Sequence, residues 1–174
     1  YIIMRILLVY PSHLDVDSSM IPRPTRVDTG IYPPLGLLYI ASSLNKNGFN
    51  DIRVVDGQTL KMEEKEVLDI VKEYHPDCIG FSVFTLTLFK AARMARAIKE
   101  INPSIHITFG GPHINIYPEE TLSLPWVDSV VLDEGELSYP ELVKSISKSG
   151  LLYGVKGVYS KDNGKIIKNE KRET

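Results

Sequence analysis

Ile105-His106-Ile107-Thr108-Phe109-Gly110-Gly111-Pro112-His113 is the stretch on which the fold turns. A short β-branched run ends in two consecutive residues without Cβ atoms, followed by a proline that cannot extend a strand. That is how a strand of an α/β sheet runs out into a loop, and a backbone bare of side chains there can approach a large flat ligand. Working outward, four more short apolar runs share its character: Arg5 to Tyr10, Ile52 to Asp56, Cys78 to Val83 and Ser129 to Leu132. Their hydrophobicity is continuous rather than alternating, which predicts strands covered on both faces, as in a parallel sheet.

Between these runs apolar residues recur at helical spacing, as Leu37, Ile40, Ala41, Leu44; Val67, Ile70, Val71, Tyr74; Leu88, Ala91, Ala92, Ala95; and Tyr139, Leu142, Val143, Ile146. Gly48, Pro76, Pro103 and Gly150 punctuate the four ends. After Gly111 the pattern supports only a short helical piece around Glu119 to Leu122. Strand-helix alternation with right-handed crossovers predicts an α/β fold, a flavodoxin-like or Rossmann-like doubly wound parallel five-stranded sheet of order 2-1-3-4-5. The last stretch, Val155 to Ser160, Asp162-Asn163-Gly164 and Lys165 to Lys168, reads as a C-terminal β-hairpin at the edge, outside the core. Residues 4–150 are the expected domain, and residues 151–174 a hairpin or linker towards a further domain.

With 174 residues the chain can bury one substantial core. Twenty basic and 22 acidic residues nearly cancel, and no Lys/Arg stripe forms, so nucleic acid is not an expected partner. The lone Cys78 lies in a strand and reads as a small buried side chain. A single cysteine and the absence of any run long enough for a signal or a membrane span point to a cytoplasmic protein without a membrane partner. Met4 reads as a natural start, preceded by Tyr1, Ile2 and Ile3.

In this sheet order a crevice opens where the chain direction reverses, lined by residues 11–33, 82–87, 110–115 and 133–136. Common occupants leave signatures there. The 22-residue connection from Pro11 to Tyr32 is long and has Gly30 as its single glycine, so a short flavodoxin phosphate turn is absent, as are Gly-x-Gly-x-x-Gly and Gly-Lys-Ser/Thr. Pro11, Ser82 and Asp133 stand where a phospho-acceptor receiver needs acids, an Asp and a Lys. A bulky, mostly neutral ligand fits better.

Four pieces in order, Pro33-Pro34-Leu35-Gly36-Leu37-Leu38-Tyr39-Ile40-Ala41, Gly80-Phe81-Ser82-Val83, Gly110-Gly111-Pro112-His113 and Asp133-Glu134-Gly135-Glu136-Leu137, resemble the N-terminal cobalamin (B12)-binding domain of B12-dependent radical S-adenosylmethionine enzymes. That class includes proteins like the anaerobic cyclase of magnesium-protoporphyrin IX monomethyl ester. The wider superfamily pattern is Asp-x-His-x-x-Gly, Ser-x-Leu and Gly-Gly. Gly36, Ser82-Val83-Phe84 and Gly110-Gly111 follow it, whereas Ile31 and Pro33 stand in the Asp and His places. The resemblance therefore implies cobalamin bound base-off, without a histidine lower ligand. It implies cofactor contacts from Pro11, Ser12, Gly36, Ser82, Val83, Thr85, Gly110, Gly111, Pro112, His113, Glu134 and Gly135, with the first loop over the lower corrin face. It further implies a fragment inactive alone, whose partner is its own radical S-adenosylmethionine domain in a methyltransferase or oxidative cyclase. That domain would hold the 4Fe-4S cluster and S-adenosylmethionine, since one cysteine cannot hold a cluster. The alternative is a structural or substrate-positioning domain that has lost the cofactor. No catalytic residue and no metal ligand is assigned.

Several residues keep an ordinary reading beside the functional one. Asp133 and Glu136 have capping-box spacing. Ser82 and Thr85 can satisfy backbone at a strand end. Tyr10, Tyr32 and Tyr39 suit core or rim packing.

Overall fold

A computed structural model describes residues 4–13, 32–162 and 164–172. The strands are β1 (Arg5–Tyr10), β2 (Asp51–Asp56), β3 (Cys78–Ser82), β4 (His106–Gly110), β5 (Ser129–Val131), β6 (Val158–Asp162) and β7 (Lys165–Lys168). The helices are α1 (Leu35–Lys46), α2 (Glu64–Tyr74), α3 (Leu88–Ile101), α4 (Pro112–Ile116), α5 (Pro118–Ser123) and α6 (Gly135–Lys148). One sheet runs β2-β1-β3-β4-β5-β6-β7. Its first five strands pair in parallel in the order read from the sequence, and β6 and β7 continue it antiparallel from β5.

Side-chain alternation along the strands divides the core in two. Leu7, Val9, Ile79, Phe81, Ile107 and Phe109 face α2 and α3. Ile6, Leu8, Cys78 and Val131 face α1 and α6. Phe81 and Phe109, adjacent in register, meet edge-on at 5.3 Å.

Three details differ from the sequence reading. The hairpin is not outside the core: Val158 is fully buried against the α1/α6 layer. Lys161 brings its ammonium to the carbonyls of Leu124 and Val127, tying β6 to the loop before β5. The segment after Gly111 forms two short helices rather than one, each opened by a proline whose missing N–H costs nothing at a first helical position. Asp133 and Glu136 do not form a capping box. Asp133 takes a left-handed φ of 53°, so Glu134 becomes the N-cap, and the Asp133 N–H donates to Asn115 Oδ1 at 2.8 Å.

Pro140 inside α6 cannot donate to the carbonyl of Glu136 one turn earlier. The Ser43 hydroxyl of α1 donates to that carbonyl at 2.6 Å instead. A helix defect is thereby turned into the bond that locks α1 to α6.

Candidate functional site

Between the first turns of α1 and α6 and the carboxyl ends of β1, β3, β4 and β5 lies a cavity of about 390 Å³. Its floor is set by strand parity: Leu8, Gly80 and Thr108 are neighbours in register, and Ser82 lies beside Gly110 one pleat nearer the mouth. Leu37 and Ile40 form the α1 wall, and Val131, residues 133–136 and Tyr139 form the opposite side. Tyr32, Pro33 and Pro34 stand at the entrance. The volume falls within the range of small-molecule sites, and the lining is mostly apolar with a few polar groups, as such sites require.

Of the residues singled out from the sequence, Gly36, Ser82, Gly110, Gly111, Pro112, Glu134 and Gly135 come together on this wall. The others lie elsewhere. Pro11 and Ser12 are buried under the turn after β2, where Gly57 donates to the Tyr10 carbonyl at 2.9 Å and leaves no room for a Cβ beside Ser12. Val83 is a core residue. Thr85 Oγ1 is 3.1 Å from His113 Nδ1, and the His113 ring is 5 % exposed and tilted on Tyr117 at 5.3 Å. Burial lowers the His113 pKa below the usual imidazole value. The first-loop contacts, with Gly30 and Ile31, fall on residues 14–31, outside the described residues, as do Tyr1, Ile2 and Ile3.

The two glycines of the opening stretch have different jobs. Gly111 has φ 102° and ψ −179°, a region open essentially to glycine alone, and a Cβ there would lie 2.9 Å from both the N and O of Val83. Its glycine identity serves the loop. At Gly110 a Cβ would meet only Val131, at 3.6 Å, on the cavity face. Its missing side chain leaves open space that the fold does not need.

All four histidines, at 13, 75, 106 and 113, are among the described residues, and none lines the cavity. Pro33 occupies the entrance instead. Cys78 is equally unreactive, because burial pushes its thiol up to about 12. Among the described residues there is no cluster of three His, Cys, Asp or Glu able to hold a metal ion, and no helix long and apolar enough to cross a membrane.

The residues that sequence reasoning missed are those of the deep end, Leu8, Gly80, Thr108, Val131 and Tyr139. One signal was available. A glycine inside an apolar strand, as at Gly80, marks close approach of another group, and that group is Tyr139, whose hydroxyl would be 2.8 Å from a Cβ at position 80.

Comparison with known proteins places this geometry. A family model described as a B12 binding domain matches residues 25–143, more than half of the chain. The chain belongs to the B12-binding domain family. Over 165 residues this B12-binding domain is 37% identical to an uncharacterized methyltransferase of Pyrococcus horikoshii, covering 94% of the chain and 34% of that protein. It is 28% identical over 169 residues to the anaerobic magnesium-protoporphyrin IX monomethyl ester cyclase of Rubrivivax gelatinosus, covering 94% of the chain and 29% of the cyclase. The fold matches the cobalamin-dependent S-adenosylmethionine radical enzyme OxsB, solved with aqua-cobalamin and S-adenosylmethionine bound. The TM-score is 0.78 at 20% identity, over 98% of this chain and 23% of that one. It also matches the radical S-adenosylmethionine methyltransferase TsrM from Kitasatospora setae, with a TM-score of 0.75 at 16% identity, over 95% of this chain and 30% of that one. The B12-binding domain thus spans about a third of the length of the curated relatives it matches.

Proposed function

We propose that this chain binds cobalamin at the carboxyl edge of its sheet, with the nucleotide tail in the cavity and no histidine of the chain beneath cobalt. In this reading it presents the corrin to a radical S-adenosylmethionine domain of a methyltransferase or cyclase. The observation that carries the proposal is the pairing of a 390 Å³ apolar cavity at the sheet's carboxyl edge with four histidines that all lie away from it. Bound there, cobalamin supplies a cobalt centre able to carry a methyl group.

The chain's own residues fit that ligand. Gly110 leaves the β4 end open for close backbone approach, and Leu8, Ile40 and Val131 offer apolar contact to an aromatic base. Ser82 contributes a hydroxyl near the mouth, and Glu134 and Gly135 bring the first turn of α6 to the same rim. With one cysteine, buried and held protonated, the 4Fe-4S cluster and S-adenosylmethionine belong to residues outside this chain. Support for the partner domain comes from the methyltransferase and cyclase relatives. It comes also from large apolar side chains exposed in the loop after β3, Phe84 and Leu86, and in the first turns of α1, α3 and α6, Leu35, Phe89 and Leu137.

Electron paramagnetic resonance of the chain loaded with cob(II)alamin tests the ligation. The expected spectrum is that of a base-off complex, with cobalt hyperfine lines free of nitrogen splitting. Triplet splitting from an axial nitrogen would overturn the assignment. Failure to retain cobalamin after desalting would favour a domain that has lost its cofactor.

A further inference from the structure

A second pocket, of about 270 Å³, opens at the opposite edge of the sheet, where β4 and β5 begin and β6 ends. Two large side chains stand over it, Leu151, 72 % exposed, and Tyr153, 86 % exposed. They are held in place by the loop that carries them. Gly150 and Gly154, with left-handed φ of 69° and 83°, bracket it, and Leu152 between them is buried. The Asn169 amide donates to the Leu152 carbonyl, and its Oδ1 accepts from the Gly154 N–H, both at 2.8 Å. With Leu152 turned into the core its two neighbours point out, so the loop fixes an exposed aromatic ring beside the pocket.

Polar groups at the floor have hydrogen-bonding capacity left over. Asp128 Oδ2 accepts from Lys99 Nζ at 2.6 Å and from the Ile107 N–H at 2.7 Å, whereas Oδ1 has no partner among the described residues. His106 ends a chain of two hydroxyls: its Nε2 is 2.9 Å from Ser129 Oγ, which is 2.9 Å from Thr108 Oγ1. Thr108 and Ser129 are buried, and Thr108 Oγ1 has no other partner among the described residues. Only one sense of the chain gives each buried proton an acceptor, with Thr108 donating to Ser129 and Ser129 donating to Nε2. Burial lowers the His106 pKa to about 4, so at neutral pH the ring is uncharged and its one proton sits on Nδ1. Nδ1 has no partner among the described residues and is not sealed off from the pocket that His106 lines.

The floor therefore offers an acceptor, Asp128 Oδ1, and a donor, His106 Nδ1–H. Charge is balanced, because Lys99 is paired with Asp128, and Lys161 and Asp162 bring one charge of each sign. The matching ligand is an uncharged flat ring with a donor next to an acceptor on its edge. We propose that this pocket binds an amino-substituted nitrogen heterocycle of the adenine class. Its amino group donates to Asp128 Oδ1, its bare ring nitrogen accepts from His106 Nδ1–H, and its face packs on Tyr153. The pocket shares no lining residue with the cavity at the carboxyl edge, and its ligand does not depend on the cobalamin reading.

Calorimetric titration of the full chain with adenosine and with inosine tests the assignment. Inosine puts a carbonyl and a ring N–H where adenosine has the amino group and the bare nitrogen, so it reverses the pattern. Adenosine is expected to bind, with inosine about tenfold weaker or more. Tyr153→Ala, at a position too exposed to matter for folding, is expected to weaken adenosine about fivefold or more. Excess hydroxocobalamin is expected to leave the adenosine affinity within about twofold, as for independent sites. No binding of adenosine at millimolar concentration would overturn the proposal. So would equal affinities for the two nucleosides, or an unchanged adenosine affinity in Y153A. Displacement of adenosine by hydroxocobalamin would overturn it as well, because it would move the nucleoside to the carboxyl edge.

Discussion

Gly110 and Gly111 are adjacent, yet replacing them should produce opposite phenotypes. Gly111→Ala forces an L-residue into φ 102°, ψ −179°, which costs of order 1–3 kcal/mol, and drives its Cβ to 2.9 Å from the backbone N and O of Val83. Those atoms are already committed: Val83 N–H donates to the Gly110 carbonyl at 2.7 Å, and the Val83 carbonyl accepts from His113 N–H at 3.2 Å. The combined cost is about 3 kcal/mol, a large share of a typical domain stability, or roughly 6–12 °C in melting temperature for a chain of this size. Gly110→Val meets no such obstacle. Its first contact is ordinary, at 3.6 Å, and a β-branched residue suits a strand end. Its side chain instead enters the cavity, where overfilling costs the ligand about 1–3 kcal/mol, roughly a fivefold to 150-fold loss of cobalamin affinity. Urea unfolding and hydroxocobalamin titration of the two variants read both effects. A Gly111→Ala chain with the parent's urea midpoint would refute the backbone argument. A Gly110→Val chain that binds cobalamin as tightly as the parent would refute the placement of the ligand.

His106 donates to or accepts from Ser129 Oγ at 2.9 Å, and burial lowers its pKa to about 4, with Lys99 adding to the lowering and Asp128 opposing it. Between the unfolded value near 6.5 and that folded value the unfolded chain binds the extra proton, so stability falls as pH drops through this window. The loss reaches about 3 kcal/mol by pH 4, and urea midpoints across the range should show a slope that H106N flattens; parallel slopes in parent and variant would contradict it. The Ser43 bond to the Glu136 carbonyl should be worth about 1 kcal/mol in the parent, so S43A lowers the unfolding free energy by that amount. In a P140A background the new backbone N–H takes over the Glu136 carbonyl, and the cost of S43A should shrink towards zero in a double-mutant cycle; additive costs would show that Ser43 does not fill the proline gap.

Local patterns carried the strand order and the place of the cavity. Five continuous apolar runs separated by helical stripes admit few right-handed arrangements, and the observed β2-β1-β3-β4-β5 order is the one they predict. The glycine pair at the end of β4 and the residues 133–136 after β5 could be assigned to one edge because parallel strands all end there. Less legible was which glycine leaves the cavity open and which serves the loop. That depends on φ at Gly111 and on what stands opposite, neither of which composition encodes.

The sequence by itself thus determined the doubly wound sheet, its order and the edge at which the cavity opens, because hydrophobic period and chain connectivity are written in neighbouring residues. Only the tertiary structure decided that Tyr139 of α6 lies over Gly80 of β3, that His113 turns away to Thr85, and that Val158 joins the core. Those relations follow from strand parity and from the rotation of each helix about its axis. Both are set by packing between segments far apart in the chain.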